Sequence, residues 1–373
     1  MMKVGFIGWR GMVGSVLMTR MKEENDFHHL KEAVFFSTSN AGSKAPNFGQ
    51  NELYLYDAND LSSLARMEVL VSCQGGGYTR SVHQGLRDGG WQGYWLDAAS
   101  TLRMSKDATI VLDPVNLSII QQALEQGCKN FIGGNCTVSL MLIALSGLFQ
   151  EDLIEYISTM TYQSASGGGA KHMRELLQQM QAVSQKVCPL LDDPAASILE
   201  IDKKVSDCLA SEDFPRTHFT VPLAANLIPW IDTDLGNGQS REEWKAMAET
   251  NKILGKVPGS IKVDGLCVRV GAMRCHSQAL IIKLKKTVSV PEIESILKEA
   301  HQWVQVVSNE KQATLKQLTP AYVSGSLKVP VGRIRQAVFG ERYITAFTIG
   351  DQLLWGAAEP IRRTLRLILG IPL

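Results

Sequence analysis

The sequence predicts an α/β fold in its first third and an α+β fold in the rest of the chain. In the first third, apolar stretches of strand length alternate with helical patterns, and glycine-rich turns follow several of these stretches. Such alternation is typical of a doubly wound parallel sheet with helices on both faces. After about residue 134 the apolar stretches lengthen and alternate with polar residues. That pattern indicates antiparallel strands covered on one side by helices.

The predicted strands of the first sheet are separated by short helical segments or turns. The first strand is followed by a glycine-rich turn and a helical pattern over residues 15–24. In chain order, the predicted strands are "KVGFI" (3–7), "EAVFFSTS" (32–39), "MEVLVSC" (67–73), "QGYWLDAAS" (92–100), "ATIVLDPVN" (108–116) and "NFIGG" (130–134). Each is short and rich in apolar residues, as expected for strands buried on both faces.

The second part of the chain carries longer segments. "YISTMTYQSAS" (156–166) and "KVDGLCVRVGAMRCHSQALIIKLKK" (262–286) predict strands, and "GAKHMRELLQQMQAV" (169–183) predicts a covering helix. "LGNGQSREEWK" (235–245) predicts a loop that opens a helix. The last segment, "DQLLWGAAEPIRRTLRLIL" (351–369), predicts a helix bent at Pro360.

The composition excludes several classes of function. The 373 residues include 38 basic and 37 acidic side chains. This near balance gives no excess of positive charge of the kind that binds nucleic acid or an anionic membrane. The chain start lacks the layout of a signal peptide, and the longest apolar stretch, 138–149, is too short to span a bilayer. Seven cysteines without a C-x-x-C pair predict neither a disulfide framework nor a zinc site. We therefore expect a cytoplasmic protein that acts on a small molecule.

A glycine-rich turn follows the first predicted strand and opens the first helix. Gly8, Gly11 and Gly14 form a spacing variant of the dinucleotide-binding fingerprint. Glycine permits a tight turn and a close backbone approach, and the helix N-terminus offers N–H groups to a pyrophosphate. The alternative is a tight turn that binds nothing. The position between strand and helix favours a Rossmann-like nucleotide site.

The end of the second predicted strand distinguishes NADP from NAD. An NAD-binding domain usually places Asp or Glu there, where it holds the ribose 2′-hydroxyl. This chain has Ser37, Thr38 and Ser39, which do not repel a 2′-phosphate and can donate hydrogen bonds to it. Arg10, in the glycine turn, can pair with the same phosphate. The sequence therefore predicts NADP, although a polar strand end without any ligand would look the same.

One of the seven cysteines stands where a predicted strand gives way to a helix. Cys136 precedes a long apolar stretch, and Asn135 is the predicted N-cap of that helix. A helix N-terminus stabilises an anion, so we expect a lowered thiol pKa and a reactive thiolate. The alternative is a buried cysteine that packs as a small apolar residue.

A thiolate beside a nicotinamide indicates a thioester-forming aldehyde dehydrogenase. That reaction needs a general base, for which His276 is the candidate unless this histidine is structural. Arg269 and His276 are seven residues apart, so on one regular strand they would face opposite sides of the sheet. They can share a site only if the strand is bulged or broken, which Gly271 permits.

Ten segments of the chain together carry a family resemblance that extends nearly from end to end. They are "GFIGWRGMVGSVL", "FFSTS", "CQGG", "GYWLDAAS", "LDPVN", "GGNCTVSLML", "YQSASGGGAKHMREL", "GQSREEWK", "VDGLCVRVGAMRCHSQ" and "GDQLLWGAAEP". By these segments the chain resembles the bacterial aspartate-semialdehyde dehydrogenases. The resemblance implies a reversible, NADP-dependent reductive dephosphorylation of L-aspartyl 4-phosphate to L-aspartate 4-semialdehyde and phosphate. This reaction would serve lysine (through diaminopimelate), methionine and threonine biosynthesis.

The resemblance also implies a domain organisation. Residues 1–134 would form the dinucleotide-binding domain, and residues 135–352 would form a catalytic and dimerisation domain like that of glyceraldehyde-3-phosphate dehydrogenase. The last helix, about 353–373, would pack back on the first domain. The protein would be a homodimer that binds small-molecule substrates, with no nucleic acid, membrane or metal.

The resemblance assigns a role to each candidate site residue. For catalysis, it implies Cys136 as the nucleophile that becomes a thioester, His276 as the acid–base group and Gln163 as the residue that orients the substrate. For the substrate, it implies Arg269 for the α-carboxylate, Glu242 for the α-ammonium, and Arg103, Lys245 and Asn135 for the phosphate. For the cofactor, it implies Gly8, Arg10, Gly11, Met12, Val13, Ser37, Thr38, Gln74, Ser166, Gly167, Pro194 and Gln352. Glu243, next to Glu242, is an equally good candidate for the ammonium group.

Other functions are compatible with parts of the sequence. Glyceraldehyde-3-phosphate dehydrogenase and N-acetylglutamyl-phosphate reductase also form thioesters, but the first usually has Ser-Cys-Thr-Thr-Asn around its nucleophile, whereas this chain has "NCTVS" (135–139). A catalytically dead NADP-binding regulator would be indicated by loss of Cys136 or His276, and both are present. A purely structural dimer scaffold does not explain the charged candidate residues.

Overall fold

The computed structural model describes residues 1–48 and 54–373, whose strands form two sheets of seven strands each. The first sheet contains β1 (Lys3–Ile7), β2 (Glu32–Ser37), β3 (Tyr56–Asp57), β4 (Val69–Ser72), β5 (Tyr94–Asp97), β6 (Ala108–Val111) and β7 (Asn130–Gly133). Their order is β3-β2-β1-β4-β5-β7-β6, and every neighbouring pair is parallel. The predicted doubly wound parallel sheet is therefore confirmed.

Helices cover both faces of this sheet. They include α1 (Met12–Glu23), α2 (Leu61–Leu64), α3 (Gly76–Asp88) and α4 (Asp113–Glu125). Leu17 of α1 and Ile120 of α4 pack in the core on one face, and Leu86 of α3 packs with Trp95 in the core on the other. Burial on both faces explains why these strands consist of short apolar runs.

The strand order reverses between β1 and β4, whose carboxyl ends lie side by side. The turn after β1 passes so close to the chain after β4 that a Cβ on Gly8 would lie 2.6 Å from the backbone of Cys73. Gly8 also has φ +73°, a conformation that glycine adopts without strain. Open α/β sheets bind their ligands in the crevice at such a switch point.

The second sheet contains β8 (Ile154–Gln163), β9 (Leu227–Ile228), β10 (Lys262–Val270), β11 (His276–Leu284), β12 (Val304–Val306), β13 (Val329–Gln336) and β14 (Tyr343–Gly350). Their order is β12-β13-β14-β11-β8-β10-β9. Four of the six neighbouring pairs are antiparallel, whereas β8–β10 and β12–β13 are parallel. The predicted second sheet is confirmed, and its strand directions are mixed.

One face of the second sheet is covered by helices, whereas the described residues cover the other face only in part. The helices of this part are α5 (Cys136–Ala144), α6 (Ser146–Gln150), α7 (Ala170–Leu191), α8 (Ile198–Ala210), α9 (Arg241–Ile253), α10 (Val290–Ala300), α11 (Lys311–Gln317) and α12 (Pro320–Val323). Helices α5, α6 and α10 share one apolar core with the strands. On the other face, α11 and α12 pack near Ile349, but Met160, Tyr162 and Leu266 remain exposed on the rest, here called the uncovered face.

The chain returns to the first sheet at its end. A π-helical turn, Leu354–Ala358, leads into α13 (Glu359–Ile368), whose Ile361 and Leu365 pack in a core of the first sheet. Pro360 lies in the first turn of α13, immediately after the π-helical turn, and the predicted bend at this residue stays a prediction. The predicted domain limits stay a prediction. Among the described residues, no helix combines the length and apolar character needed to cross a membrane.

Candidate active site

Three predicted site residues meet where β8, β10 and β11 reach the same edge of the second sheet. Gln163 ends β8 and pairs with Arg269 of β10, while His276 begins β11 on the other side of β8. The predicted single segment is therefore two strands, and the chain crosses the end of β8 between them. The positive φ in this crossing, 74°, belongs to Cys275 and not to Gly271. Arg269 and His276 can therefore share a site despite their seven-residue spacing, because they lie on the two strands that flank β8.

The candidate nucleophile lies at the N-terminus of α5. Cys136 is the first residue of this helix and lines a cavity of about 500 Å³ together with the ends of β8 and β10. Asn135 caps the helix, since its Oδ1 accepts the backbone N–H groups of Thr137 (3.0 Å) and Val138 (3.1 Å). A Cβ on Gly356 would lie 2.6 Å from the Cβ of Cys136, so only a glycine lets the π-helical turn pass against the cysteine.

The expected fall in the pKa of Cys136 is wrong for this structure. Burial, and next the carboxylate of Glu242, raise the pKa of the Cys136 thiol to about 12. The cations of Arg103, Arg269 and Lys245 act in the opposite direction, but less strongly. The position at a helix N-terminus therefore does not by itself produce a thiolate, because desolvation and the charge of Glu242 outweigh the neighbouring cations.

Helix α9 presents three charged side chains on one face. Glu242, Lys245 and Glu249 are spaced i, i+3 and i+7, and all three are buried. Glu243 is occupied elsewhere, because it forms a capping box with Ser240 at the start of the helix. Of the two adjacent glutamates, Glu242 is the one hydrogen-bonded to the other candidate site residues.

Glu242 connects most of the candidate substrate site. Its Oε1 accepts hydrogen bonds from Nδ2 of Asn135 (2.9 Å) and Nε2 of Gln163 (3.3 Å), and its Oε2 pairs with Nζ of Lys245 (2.9 Å). Burial opposes ionisation, but Lys245 and these hydrogen bonds outweigh it and lower the pKa of Glu242. The carboxylate is therefore charged at neutral pH and can accept an ammonium group.

Replacing Glu242 with glutamine is expected to make Cys136 more reactive towards iodoacetamide. The substitution removes the charge that helps to raise the thiol pKa, and each unit of lowering gives about tenfold more thiolate at about pH 8.5. Mass spectrometry of the Cys136 peptide measures the rate from neutral to alkaline pH, with the exposed Cys188 as internal reference. An equal Cys136 rate in both proteins would contradict this electrostatic explanation.

The two cations predicted for phosphate are each held by a carboxylate. Arg103 donates to the backbone O of Gly133 (2.6 Å) and to Oε1 of Glu249 (3.1 Å). Nζ of Lys245 pairs with Oδ2 of Asp232 at 2.7 Å, in addition to its pairing with Glu242 of the same helix. Neither Glu249 nor Asp232 was predicted from the sequence. The i+7 spacing on α9 could have indicated Glu249, whereas the contact of Asp232 depends on the path of a loop.

Arg269 and His276 share one neighbour, Ser164. Nη1 of Arg269 donates to the backbone O of Ser164 (2.8 Å), and Nδ1 of His276 accepts the backbone N–H of Ser164 (3.1 Å). The second contact favours a neutral imidazole with its proton on Nε2. Burial, and then the charge of Arg269, lower the pKa of His276 to about 3. Nε2 has no hydrogen-bond partner in the described part of the chain, and it lies beside Gly167.

The residues predicted for the cofactor fall into two groups. At the ends of β1, β2 and β4, Nη2 of Arg10 donates to Oγ of Ser37 (3.2 Å), and Nε2 of Gln74 donates to Oγ1 of Thr38 (3.3 Å). The glycine turn lies beside them, closed by the N–H of Gly11 donating to the O of Gly8 (3.0 Å). The second group lines the cavity of Cys136 and consists of Met12, Val13, Ser166, Gly167 and Gln352. The N-terminus of α1 connects the two groups.

Pro194 is not brought together with the others. It is exposed and lies beyond the end of α7, a helix of 22 residues that begins beside the cavity. A helix of that length spans about 33 Å, so Pro194 lies far from the cavity of its own chain.

The chain is similar to known proteins over almost its whole length. Residues 3–123 match the family described as semialdehyde dehydrogenase, NAD binding domain, and residues 145–355 match semialdehyde dehydrogenase, dimerisation domain. Aspartate semialdehyde dehydrogenase from Francisella tularensis is 48% identical, covers 99% of this chain and 100% of its own, and superposes with a TM-score of 0.94.

Two more distant structures share the fold. Aspartate semialdehyde dehydrogenase II from Vibrio cholerae, complexed with ASA, is 22% identical and covers 99% of this chain and 98% of its own, with a TM-score of 0.80. Aspartate semialdehyde dehydrogenase with NADP from Candida albicans is 17% identical and covers 100% of this chain and 99% of its own, with a TM-score of 0.66.

Proposed function

The chain belongs to the semialdehyde dehydrogenase family, and on this premise we propose that it catalyses the NADP-dependent, reversible reductive dephosphorylation of L-aspartyl 4-phosphate to L-aspartate 4-semialdehyde and phosphate. The reaction passes through a thioester at Cys136 and serves lysine, methionine and threonine biosynthesis in the cytoplasm. One observation supports this most directly. The cavity that contains Cys136 is lined by the candidate substrate residues and by the start of the nucleotide-binding helix α1.

The charges around the cavity match those of the proposed substrate. Arg269 is suited to a bidentate pair with the α-carboxylate, and Glu242 to the α-ammonium. Arg103 and Lys245 supply two cations for the phosphate group. An ammonium bound to Glu242 would also offset the carboxylate charge that raises the pKa of Cys136. Substrate binding would thereby favour the thiolate that attacks the substrate.

His276 can assist the reaction in either of its two neutral tautomers. With its proton on Nε2 it donates a hydrogen bond to the oxyanion that develops when Cys136 attacks the acyl carbon. In the other tautomer Nδ1 gives up the hydrogen bond from the Ser164 N–H and donates to Oγ of Ser164 (3.1 Å), and Nε2 is then the base that takes a proton from the thiol or from the hemithioacetal. The amide of Gln163, beside Glu242, orients the reacting group.

The end of the first sheet fits a dinucleotide with a 2′-phosphate. Gly8 leaves no room for a side chain where the turn meets the backbone of Cys73, so the backbone itself can approach a pyrophosphate. Arg10 lies against Ser37 at the end of β2, where it supplies a cation for the 2′-phosphate. When bound there, NADP supplies or accepts the hydride.

Replacing Arg10 with alanine is expected to weaken the preference for NADP over NAD. The KM for NADP should rise about tenfold, the size expected from the loss of one charge-assisted pair, while the KM for NAD changes little. Steady-state kinetics with both cofactors measure the effect. Lys31→Ala is the control, since it removes an exposed cation at the opposite end of β2. Equal changes in both KM values would exclude a role for Arg10 in reading the 2′-phosphate.

The uncovered face of the second sheet is the proposed interface of a homodimer. Met160, Tyr162 and Leu266 are exposed there, within the region that matches the dimerisation domain. Apolar side chains grouped on an open sheet face are typical of a protein interface. Light scattering should give twice the 41.0 kDa of one chain, and a monomer would refute this part of the proposal.

The function is tested by spectrophotometry with aspartate semialdehyde and phosphate, separately with NADP and NAD. We expect phosphate-dependent reduction of NADP that is faster than that of NAD. No turnover of this aldehyde, or faster turnover of glyceraldehyde 3-phosphate or N-acetylglutamate semialdehyde, would overturn the proposal.

A further inference from the structure

The charges around the cavity balance. The cations are Arg103, Lys245 and Arg269, and the carboxylates are Glu242, Glu249 and Asp232. Arg103 and Lys245, the two cations assigned to phosphate, are both paired with carboxylates, so a phosphate that binds either of them competes with a carboxylate already there. Phosphate binding therefore requires that one of these carboxylates move away from its cation.

The three carboxylates differ in how firmly the protein encloses them. Glu249 is 2% exposed and Glu242 is 7% exposed, and each accepts more than one hydrogen bond from the site. The side chain of Asp232 is 29% exposed, and its Oδ2 pairs with Nζ of Lys245 at 2.7 Å. Asp232 can therefore turn into solvent without leaving an unpaired charge buried, which the other two cannot do.

The loop before α9 holds the Asp232 carboxylate against Lys245. Asp232 has φ 72°, a conformation that is uncommon for residues other than glycine. Its Oδ1 accepts the backbone N–H of Thr233 (2.8 Å), and its backbone O accepts Nε1 of Trp230 (3.0 Å). Burial opposes ionisation, but the hydrogen bonds from Lys245 and Thr233 and the charge of Lys245 together outweigh it and lower the pKa of Asp232. A charged oxygen of Asp232 thus pairs with Lys245, one of the two cations proposed to bind phosphate.

Resting on the proposed function, we infer that Asp232 is a specificity-determining residue that competes with phosphate for Lys245. A phosphate oxygen takes the position of the Asp232 Oδ2 on Nζ, and the aspartate turns outward. Glu242 and Glu249 stay in place and keep the cations in position. The competition rejects anions of low charge, because only an anion that binds Lys245 better than a carboxylate does can displace Asp232.

Asp232→Asn is the test, with Asp234→Asn as the matched control. The first substitution should lower the KM for inorganic phosphate about fivefold, the size expected for the loss of one partly exposed ion pair. The inhibition constant for sulfate should fall similarly, while the KM values for aspartate semialdehyde and NADP stay unchanged. Asp234 lies in the same loop, where its Oδ1 accepts the N–H of Gly236. Its substitution changes the net charge equally and should leave all four constants unchanged.

Each other outcome has a definite meaning. A higher KM for phosphate in Asp232→Asn would make Asp232 a positioning residue for Lys245, and an unchanged KM would show that no competition exists; both overturn the inference. Calorimetric titration of the wild type and both variants with inorganic phosphate tests the same competition without turnover. Absence of turnover in the wild type would refute the proposed function, whereas equal calorimetric affinities would refute only the role of Asp232.

Discussion

Replacing Cys136 with alanine is expected to abolish phosphate-dependent reduction of NADP by aspartate semialdehyde. The residual rate should fall by about a thousandfold or more, because without the sulfur no thioester can form and phosphate has no acyl group to accept. The variant should still bind NADP with an affinity within about twofold of the wild type, since the sulfur is not a hydrogen-bonding group of the cofactor site. Absorbance of NADPH measures the first effect and a cofactor titration the second.

Cys188→Ala is the control for this experiment. Cys188 is an exposed cysteine in α7, so its loss should leave the rate unchanged. Turnover by the Cys136→Ala protein at the wild-type rate would exclude the covalent mechanism. Loss of both activity and NADP binding would indicate instead that the substitution disturbs α5.

Gly14→Ala is expected to weaken NADP binding at least tenfold and to destabilise the protein by about 2–4 kcal/mol. A Cβ on Gly14 would collide with the backbone O of Gly8 and lie 2.6 Å from the Cα of Trp9. Both are backbone atoms, so the contact cannot be relieved by a rotamer change. The turn would have to open, which moves the N–H groups at the start of α1 away from the pyrophosphate.

Gly77→Ala is the matched control for the glycine turn. Gly77 lies in α3, and a Cβ there would meet nothing within 4 Å. Alanine in a helix is more favourable than glycine by about 0.5–1 kcal/mol, so this variant should be as stable as the wild type or slightly more so. Calorimetric titration with NADP and thermal unfolding measure both variants. Normal NADP affinity in Gly14→Ala would show that the turn does not hold the cofactor.

The first sheet was predictable because its signals are local. Short apolar strands, a glycine turn and helical patterns are each defined by about ten neighbouring residues. The structure has a strand within each of the six predicted segments of this sheet. β3, with two residues, was not predicted, because its pairing with β2 depends on tertiary contact rather than on its own pattern. The break that Gly271 permits is present between β10 and β11, but the insertion of β8 between the two strands was not predicted, because it depends on tertiary pairing.

The candidate site residues were predicted mainly through motifs. The pKa of Cys136 was not predicted correctly from the sequence. The sequence did contain the answer to one open question, because Ser240 and Glu243 have the spacing of a capping box, which leaves Glu242 for the cavity. The pKa of Cys136 could not be inferred in the same way. It depends on how deeply α5 is enclosed and on a carboxylate more than a hundred residues away, neither of which is a local property of the sequence.

The return of the chain to the first sheet limits how this architecture can recombine. Ile361 and Leu365 of α13 pack on one face of the first sheet. A gene fusion that exchanged only the segment before α5 would therefore combine a foreign first sheet with the α13 of this chain, which does not match it. The same terminal stretch carries Gly356, whose lack of a side chain accommodates Cys136. Working chimaeras with other dehydrogenases would therefore need two crossover points, one on each side of the second sheet.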